Sequence, residues 1–346
     1  MGDGLEKKLA ILGIIAVIIL ILLLGILIID WNSIFKTEDN ELSVGLEVSE
    51  NPFLWKIEGE NPSYLFGSMH LSDERLLTLP DIVLDAIEES DAVYTEIELD
   101  QQSAIKSDEL SRLPTSQTIY DLLPDDVEER VDSYLKTKGL TLSLFSSYKI
   151  WVVSSNLVLL DEIEYLYLNP SLDQYIWNLA VSYDKTTGGI ETIEEQVGFF
   201  DIFTIDEQIE MLNDTLDDLE EYASKGETAT DTMKDLYIEG DLDALQDFMF
   251  SSSEENVELY KKFEEILLVN RNENMTDRID QLINENTETQ YFFTIGAGHF
   301  YGDYGLITLL ENKGYTVTRV QFADCETCDS GESKINDKCY EPYVTS

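Results

Sequence analysis

The sequence predicts an α+β fold in which mixed β-sheets, built from segments at both ends of the chain, are surrounded by a helical middle region. Short apolar segments typical of strands occur near residues 53–66 and again at 291–295. Between about residues 124 and 284, acidic residues alternate with Leu, Ile, Tyr and Phe at helical spacing. Ahead of these elements, an unbroken apolar run predicts one N-terminal transmembrane helix.

The apolar run Leu9–Ile29 is long enough to cross a bilayer as a helix. Lys7 and Lys8 precede it and acidic residues follow it, which predicts a cytoplasmic N-terminus and a main domain outside the cell. A cleaved signal peptide is the alternative, but Asp30-Trp31-Asn32 is a poor cleavage site, so we expect an uncleaved single-pass anchor in the cell membrane. The chain therefore divides into a cytoplasmic N-terminus (1–8), an anchor (9–29), an acidic tether (30–51), one main domain (52–322) and a cysteine-containing tail (323–346).

The main domain begins with a β-hairpin signal, because Phe53–Ile57 and Tyr64–Phe66 flank a turn rich in Gly, Asn and Pro. A short amphipathic helix is expected after Pro80, and Ala92–Leu99 alternates as a strand. The later expected elements are a strand around Gly189–Glu191, the strand Tyr291–Ile295, a helix from about Tyr304 to Glu311 and the strand Tyr315–Val320. We expect the strands of the two ends to pair, which would bring distant strand ends together.

Composition narrows the classes of function. The chain has 346 residues, 43% of them hydrophobic, so it can bury a sizeable core. Its net charge of −48 repels phosphate backbones and argues against nucleic-acid binding. Because the acidic residues are spread along the chain, a surface hydrated for a high-salt setting explains them better than recruitment of cationic partners does.

The tail holds all three cysteines, Cys325, Cys328 and Cys339. Outside the cell two of them could form a disulfide, and a three-thiolate zinc site is the alternative. The segments Asn213–Thr215 and Asn274–Thr276 fit the N-glycosylation pattern, which is compatible with an external location. None of these features indicates an activity, and the oligomeric state is open.

The chain has only two histidines, and each ends the same four-residue pattern. One is Gly67-Ser68-Met69-His70 and the other is Gly296-Ala297-Gly298-His299, and each follows a predicted buried strand. Loops at strand ends are where a rigid sheet presents reactive side chains. The matched pair therefore predicts a shared site, most simply a metal site, although either histidine alone would more often be a structural residue.

A catalytic divalent metal usually takes three protein ligands and leaves a position open for water. A carboxylate should complete the set, and Glu96 and Glu98 lie on one face of the predicted strand after His70. One of them could be a ligand while the other acts as the base. The alternative is that both glutamates lie on the exposed face of an edge strand.

Glycines near the histidines have two possible roles. Gly67, Gly296, Gly298 and Gly302 could shape the rim of a pocket, with their amides holding an anionic intermediate. They could equally serve only as turn residues.

These motifs resemble the TraB/GumN/Tiki family. The resemblance rests on the paired Gly-x-x-His turns, on Tyr94–Leu99 with its two glutamates, and on weaker matches in the middle of the chain, around Gly189–Gln196, Gly240-Asp241 and Arg271–Met275. It covers about Phe53–Val320 and excludes the tether and the tail.

The resemblance implies an α+β fold and a membrane-associated, metal-dependent peptidase activity. His70 and His299 match the family histidines, Glu96 matches its strand glutamate, and Glu98 falls where relatives have a second acid. It further implies that Glu191, Arg271 and Asn272 frame the pocket. The metal would be Zn²⁺, Mn²⁺, Fe²⁺ or Co²⁺, since two histidines and a carboxylate admit all four.

The sequence thus predicts a membrane-anchored, metal-dependent hydrolase domain at 52–322 that cleaves external peptides or proteins through metal-activated water. His70, His299 and Glu96 are the expected ligands, and Glu96 or Glu98 is the expected base. A surface protein that sequesters a peptide or a haem-like ligand without turnover is the alternative. A purely structural role for the paired turns is a third possibility.

Overall fold

The computed structural model describes residues 51–162, 169–250 and 257–320, and the backbone of two short tail strands at 333–335 and 338–340. The predicted anchor Leu9–Ile29 lies outside the described residues, as do Cys325 and Cys328. Within the described ranges, no helix is both long and apolar enough to cross a membrane.

A six-stranded mixed sheet, in the order β4-β3-β5-β2-β1-β6, forms the centre of the domain. Its strands are β1 Leu54–Ile57, β2 Ser63–Ser68, β3 Ala92–Thr95, β4 Thr186–Gly189, β5 Tyr291–Gly296 and β6 Val317–Arg319. β4, β3, β5 and β2 run parallel to one another, whereas β1 is antiparallel to both β2 and β6. The carboxyl ends of the four parallel strands therefore share one edge of the sheet.

Helices follow most of the strands. They are α1 Glu74–Leu77, α2 Asp81–Glu89, α3 Gln101–Leu110, α4 Asp125–Thr137, α5 Ile150–Leu159, α6 Leu172–Ser182, α7 Ile193–Phe200, α8 Ile205–Lys225, α9 Ala229–Glu239, α10 Leu242–Phe250, α11 Val257–Glu264, α12 Asn270–Glu285 and α13 Leu306–Asn312. A π-helical turn, Glu265–Val269, joins α11 to α12. The two tail strands, β7 Ser333–Ile335 and β8 Lys338–Tyr340, form a separate hairpin.

The centre of the sheet is buried on both faces. Every residue of β2 and β5 is buried, which is typical of parallel strands covered by helices on both sides. Gly67 lies inside β2, and a Cβ built there would come within 2.9 Å of Phe53 Cβ and 3.3 Å of Ala297 Cα. Only glycine allows β2 to pack this closely.

The α+β class and the amino-terminal hairpin are confirmed, but three details of the sequence analysis are wrong. The two ends contribute to one sheet in the main domain, and the middle of the chain supplies β4 to it. That strand ends at Gly189, before Ile190 and Glu191. The strand predicted over Ala92–Leu99 ends at Thr95, because the chain turns there and the Thr95 hydroxyl donates to the Ile97 carbonyl.

Candidate metal centre

The candidate site lies at the carboxyl edge of the parallel strands. His70 follows β2, Glu96 follows β3 directly, and His299 closes the short turn after β5. Because β5 lies between β3 and β2, these three residues belong to adjacent strands. The distant ends of the chain therefore meet at this edge, as expected at the carboxyl ends of parallel strands.

Both imidazoles face one carboxylate oxygen. Nε2 of His70 and Nε2 of His299 each lie 3.8 Å from Oε1 of Glu96, which is too far for a hydrogen bond. Both Nε2 atoms are buried and have no hydrogen-bond partner. Glu96 Oε1 also accepts the backbone N–H of Gly296 at 2.8 Å. Unpaired buried nitrogens are costly, so their convergence calls for a ligand.

The other ring nitrogen of His70 is held by a carboxylate. Nδ1 lies 2.7 Å from Oδ2 of Asp173, in the first turn of α6. The Ser68 hydroxyl donates to the second oxygen of the same carboxylate. In the neutral form of the ring, a proton on Nδ1 would leave the lone pair of Nε2 directed towards Glu96, and a metal ion would favour this form because it competes with the Nε2 proton.

His299 is held by an amide. Its Nδ1 lies 2.6 Å from Oδ1 of Asn272. The Asn272 amide nitrogen donates to the backbone carbonyls of His299 at 3.3 Å and Tyr304 at 2.8 Å, which fixes the amide orientation. Since an amide oxygen can only accept, Nδ1 of His299 carries the proton and Nε2 has a free lone pair.

The electrostatics of the two histidines differ. Burial lowers the pKa of His299 to about 3, with the Arg271 cation acting in the same direction. Burial also opposes protonation of His70, but the Asp173 and Glu96 carboxylates outweigh it and raise the His70 pKa to about 10. Burial disfavours ionisation of Glu96 as well, yet Arg271 and the histidines hold its pKa well below its usual value. Glu96 is therefore a carboxylate anion at neutral pH.

Arg271, near the start of α12, links two carboxylates of the site. Its guanidinium donates to Glu191 through Nε at 3.0 Å and Nη2 at 2.5 Å, and Nη2 also donates to Glu96 Oε2 at 2.7 Å. The Arg271 side chain is fully buried. Gln196 donates to the same Glu96 oxygen at 3.0 Å. Glu96 Oε2 is thus occupied, and Oε1 is the oxygen that faces the histidines.

The donor set fits a divalent metal in its chemistry. Two imidazole nitrogens and a carboxylate oxygen converge, and the cluster contains three carboxylates, from Glu96, Asp173 and Glu191, against the single guanidinium of Arg271. A divalent cation would offset this excess of negative charge. Across the described ranges, no group of three or more His, Cys, Asp or Glu side chains is already arranged to hold a metal ion. His70, His299 and Glu96 would hold the ion, and the 3.8 Å distances from each Nε2 atom to Glu96 Oε1 would have to shorten on binding.

Glu98 is not brought to this centre. It is exposed and lies beyond the end of β3, so the prediction that it shares a strand face with Glu96 is wrong. The turn after Thr95 breaks the alternation on which that prediction relied. Glu98 instead lines a groove of about 600 Å³ beside α3 and the start of α7, together with Glu191.

The glycines near the histidines lie in turns or in tightly packed backbone. Gly67 is packed inside β2, Gly298 is buried in the turn before His299, and the Gly296 amide is committed to Glu96. Gly302 is exposed with φ of 78°, so it serves a turn. The described contacts leave the Gly296 amide no role in holding an anionic intermediate, whereas Glu191, Arg271 and Asn272 all contact residues of the centre.

Comparison with known proteins identifies the family of this chain. The model of the TraB/PrgY/gumN family matches residues 53–319. The chain belongs to this family. The matched stretch contains every candidate residue from Gly67 to Gly302, and the resemblance identified in the sequence is confirmed.

Similar curated proteins carry the name metalloprotease. Metalloprotease TIKI1 of Danio rerio is 29% identical over 311 residues, covering 77% of this chain and 63% of that protein. Metalloprotease TIKI2 of Xenopus tropicalis is 26% identical, covering 77% and 59%, and metalloprotease TIKI1 of Homo sapiens is 26% identical, covering 77% and 61%. The chain therefore spans about three fifths of the length of these relatives. No solved structure matches it.

The sequence analysis missed Asp173 and the role of Gln196. Asp173 belongs to a chain with 70 acidic residues, so its type carried no signal. The one available hint was the helix start at Ser171, whose side chain accepts the Gln174 N–H and places Asp173 in the first turn. Gln196 lies in the Glu191–Gln196 stretch that resembled the family, but only the fold shows that it contacts Glu96.

Proposed function

We propose that this protein is a membrane-anchored, metal-dependent peptidase that hydrolyses peptides outside the cytoplasm. One observation carries the proposal. Two imidazoles direct buried, unpaired Nε2 atoms at one oxygen of Glu96, while their Nδ1 atoms lie against Asp173 and Asn272. This arrangement is typical of metal-ligating histidines.

His70 and His299 would hold the metal through Nε2, and Glu96 through Oε1. The cation would supply Lewis acidity, which makes water nucleophilic at neutral pH and polarises a carbonyl. Glu96 is better suited to be a ligand than a base, because Arg271 and Gln196 occupy its other oxygen and its pKa is well below the usual value. Arg271 would keep Glu96 ionised and oriented.

The groove beside the centre is the proposed place for the substrate. Glu191 lines the groove and also accepts hydrogen bonds from Arg271, which in turn contacts Glu96. An extended peptide in the groove would thus contact Glu191, which is connected through Arg271 to Glu96, the proposed metal ligand. The relatives' name, metalloprotease, supports a peptide as the substrate class.

The proposed location rests on the sequence outside the described residues. Leu9–Ile29 would anchor the chain, and Lys7 and Lys8 would keep the N-terminus in the cytoplasm. The main domain would then act on the external side of the membrane.

The test uses the purified full-length chain in mild detergent, with a peptide library, in the presence and absence of a chelator. We expect cleavage that stops with chelator and returns with added Zn²⁺, Mn²⁺ or Co²⁺. The double variant His70→Ala, His299→Ala should lose both bound metal and cleavage, whereas Glu98→Gln, the matched acidic control for the metal centre, should keep its bound metal. The proposal fails if the double variant retains metal and cleavage. Peptide binding without any product would favour a sequestering protein instead.

A further inference from the structure

The segment that carries Asp173 is fastened to the turn that carries His70. The Leu172 N–H donates to the Leu71 carbonyl at 3.3 Å, and the Ser72 hydroxyl donates to the Asn169 carbonyl at 2.9 Å. Ser68, just before the turn, donates to Asp173. Residues 169–173 therefore keep their place beside residues 68–72 even without the contact between Asp173 and His70.

The end of β2 is fixed from the other side. The Tyr237 hydroxyl, from α9, donates to the carbonyl of Gly67 at 2.6 Å, and both groups are buried. Burial raises the pKa of Tyr237 well above its usual value, so the hydroxyl keeps its proton and remains a donor. The backbone that leads to His70 is thereby held before the imidazole meets any ligand.

The two histidine partners differ for a structural reason. Asn272 must be an amide, because its nitrogen donates to two backbone carbonyls that a carboxylate would repel. Asp173 accepts from a hydroxyl and lies in the first turn of α6, at the positive end of the helix dipole. The Nδ1 atom of His70 thus faces a carboxylate, whereas that of His299 faces a neutral amide.

We propose that Asp173, held by Ser68 and the first turn of α6, is a positioning residue that fixes the ring of His70 as the stronger of the two imidazole donors. This inference rests on the proposed metal centre. Asp173 does not itself contact the metal or the substrate. It acts through His70, since its Oδ2 pairs with Nδ1 at 2.7 Å, and a carboxylate beside the far nitrogen of an imidazole orients the ring and strengthens its donor nitrogen.

The experiment loads the full-length chain with Co²⁺, records its visible absorption spectrum and measures the rate of release into excess chelator. Asp173→Asn keeps the size and the acceptor oxygen but removes the charge. We expect release about 10-fold faster and a shifted Co²⁺ band, in line with the typical loss from removing such a partner. Asp173→Ala also removes the acceptor oxygen, so its release of Co²⁺ should be up to about 100-fold faster than that of the wild type.

Ser68→Ala gives a second, milder route, with a smaller acceleration of release, and keeps the test valid if a variant at Asp173 does not fold. Glu89→Gln is the matched control. It makes the same carboxylate-to-amide change at the opposite end of β2, where Glu89 accepts a hydrogen bond of 2.7 Å from the Tyr64 hydroxyl. The Co²⁺ spectrum and the rate of Co²⁺ release should stay unchanged.

The outcomes separate the two proposals. If the wild-type chain takes up no Co²⁺ and no other divalent metal, the metal centre fails and this inference fails with it. If the wild-type chain holds Co²⁺ but Asp173→Asn and Ser68→Ala release it at the wild-type rate with an unshifted spectrum, only the role of Asp173 is overturned.

Discussion

Replacing Arg271 with methionine should be among the most destabilising single changes in the domain. The side chain is fully buried and hydrogen-bonded to two carboxylates that are themselves almost fully buried, Glu96 and Glu191. Methionine fills similar space but leaves both anions without their cation. Removing one partner of a buried ion pair typically costs about 3–5 kcal/mol, because the remaining charge is stranded in a poorly polarisable environment.

The same helix offers a matched control. Arg278 lies seven residues further along α12 and pairs with Glu195, but these side chains are 35% and 40% exposed. Solvent screens such a pair, so Arg278→Met should cost about 0–1 kcal/mol. The contrast between the two variants isolates burial, since the substitution, the helix and the partner type are the same.

The assay is urea denaturation of the metal-free full-length chain, followed by tryptophan fluorescence at pH 7.5 and pH 5. Arg271 lowers the pKa of Glu96, so wild-type stability from this pair is present above the unfolded pKa and declines as pH falls. In Arg271→Met the two buried carboxylates have no cation beside them and resist ionisation. The stability of this variant should therefore increase, not decrease, as the pH falls and the carboxylates become protonated. The cost of the substitution should therefore be smaller at pH 5. Adding Glu191→Gln should recover part of it. A cost no larger than that of Arg278→Met would refute the reasoning.

Three further predictions follow from the site. In the metal-free protein, the free energy of unfolding should rise with pH between about 3 and 6.5, because His299 binds a proton in the unfolded chain but not in the folded one. It should fall between about 6.5 and 10, because His70 keeps a proton in the folded chain that it loses in the unfolded one. Urea denaturation at a series of pH values checks this, and a flat profile contradicts it. Glu96→Gln should abolish stoichiometric metal binding while Glu98→Gln leaves it intact, as elemental analysis would show; equal losses would restore Glu98 to the site. Gly67→Ala should cost about 1–3 kcal/mol by overpacking β2, and an unchanged urea midpoint would contradict the packing argument.

Much of the site could be predicted from the sequence because its chemistry is carried by rare residue types. Only two histidines exist, and each follows a strand that ends in the same glycine turn. The apolar runs of β2 and β5 predicted buried strands, and strand ends carry functional side chains. Glu96 was assigned as a ligand through the resemblance to the family, whose strand glutamate it matches.

The acidic residues could not be sorted in the same way. Glu96 and Glu98 look alike in the sequence, and alternation placed them on one face, but β3 ends at Thr95 and the turn separates them. Asp173 was invisible among 70 acidic residues, because its role comes from a helix start that packs against a turn about one hundred residues earlier. Non-local pairing, which local patterns do not encode, decided both cases.

By itself the sequence determined the α+β class, the family and the two histidines, since these depend on residue type and on short-range periodicity. The tertiary structure decided that β5 lies between β3 and β2, and hence that Glu96 faces both imidazoles from the neighbouring strands. It also decided which side chains hold each ring, Asp173 for His70 and Asn272 for His299. The physical reason is that strand order and helix docking are set by burial summed over the whole core, so contacts between residues far apart in the chain appear only once that core is assembled.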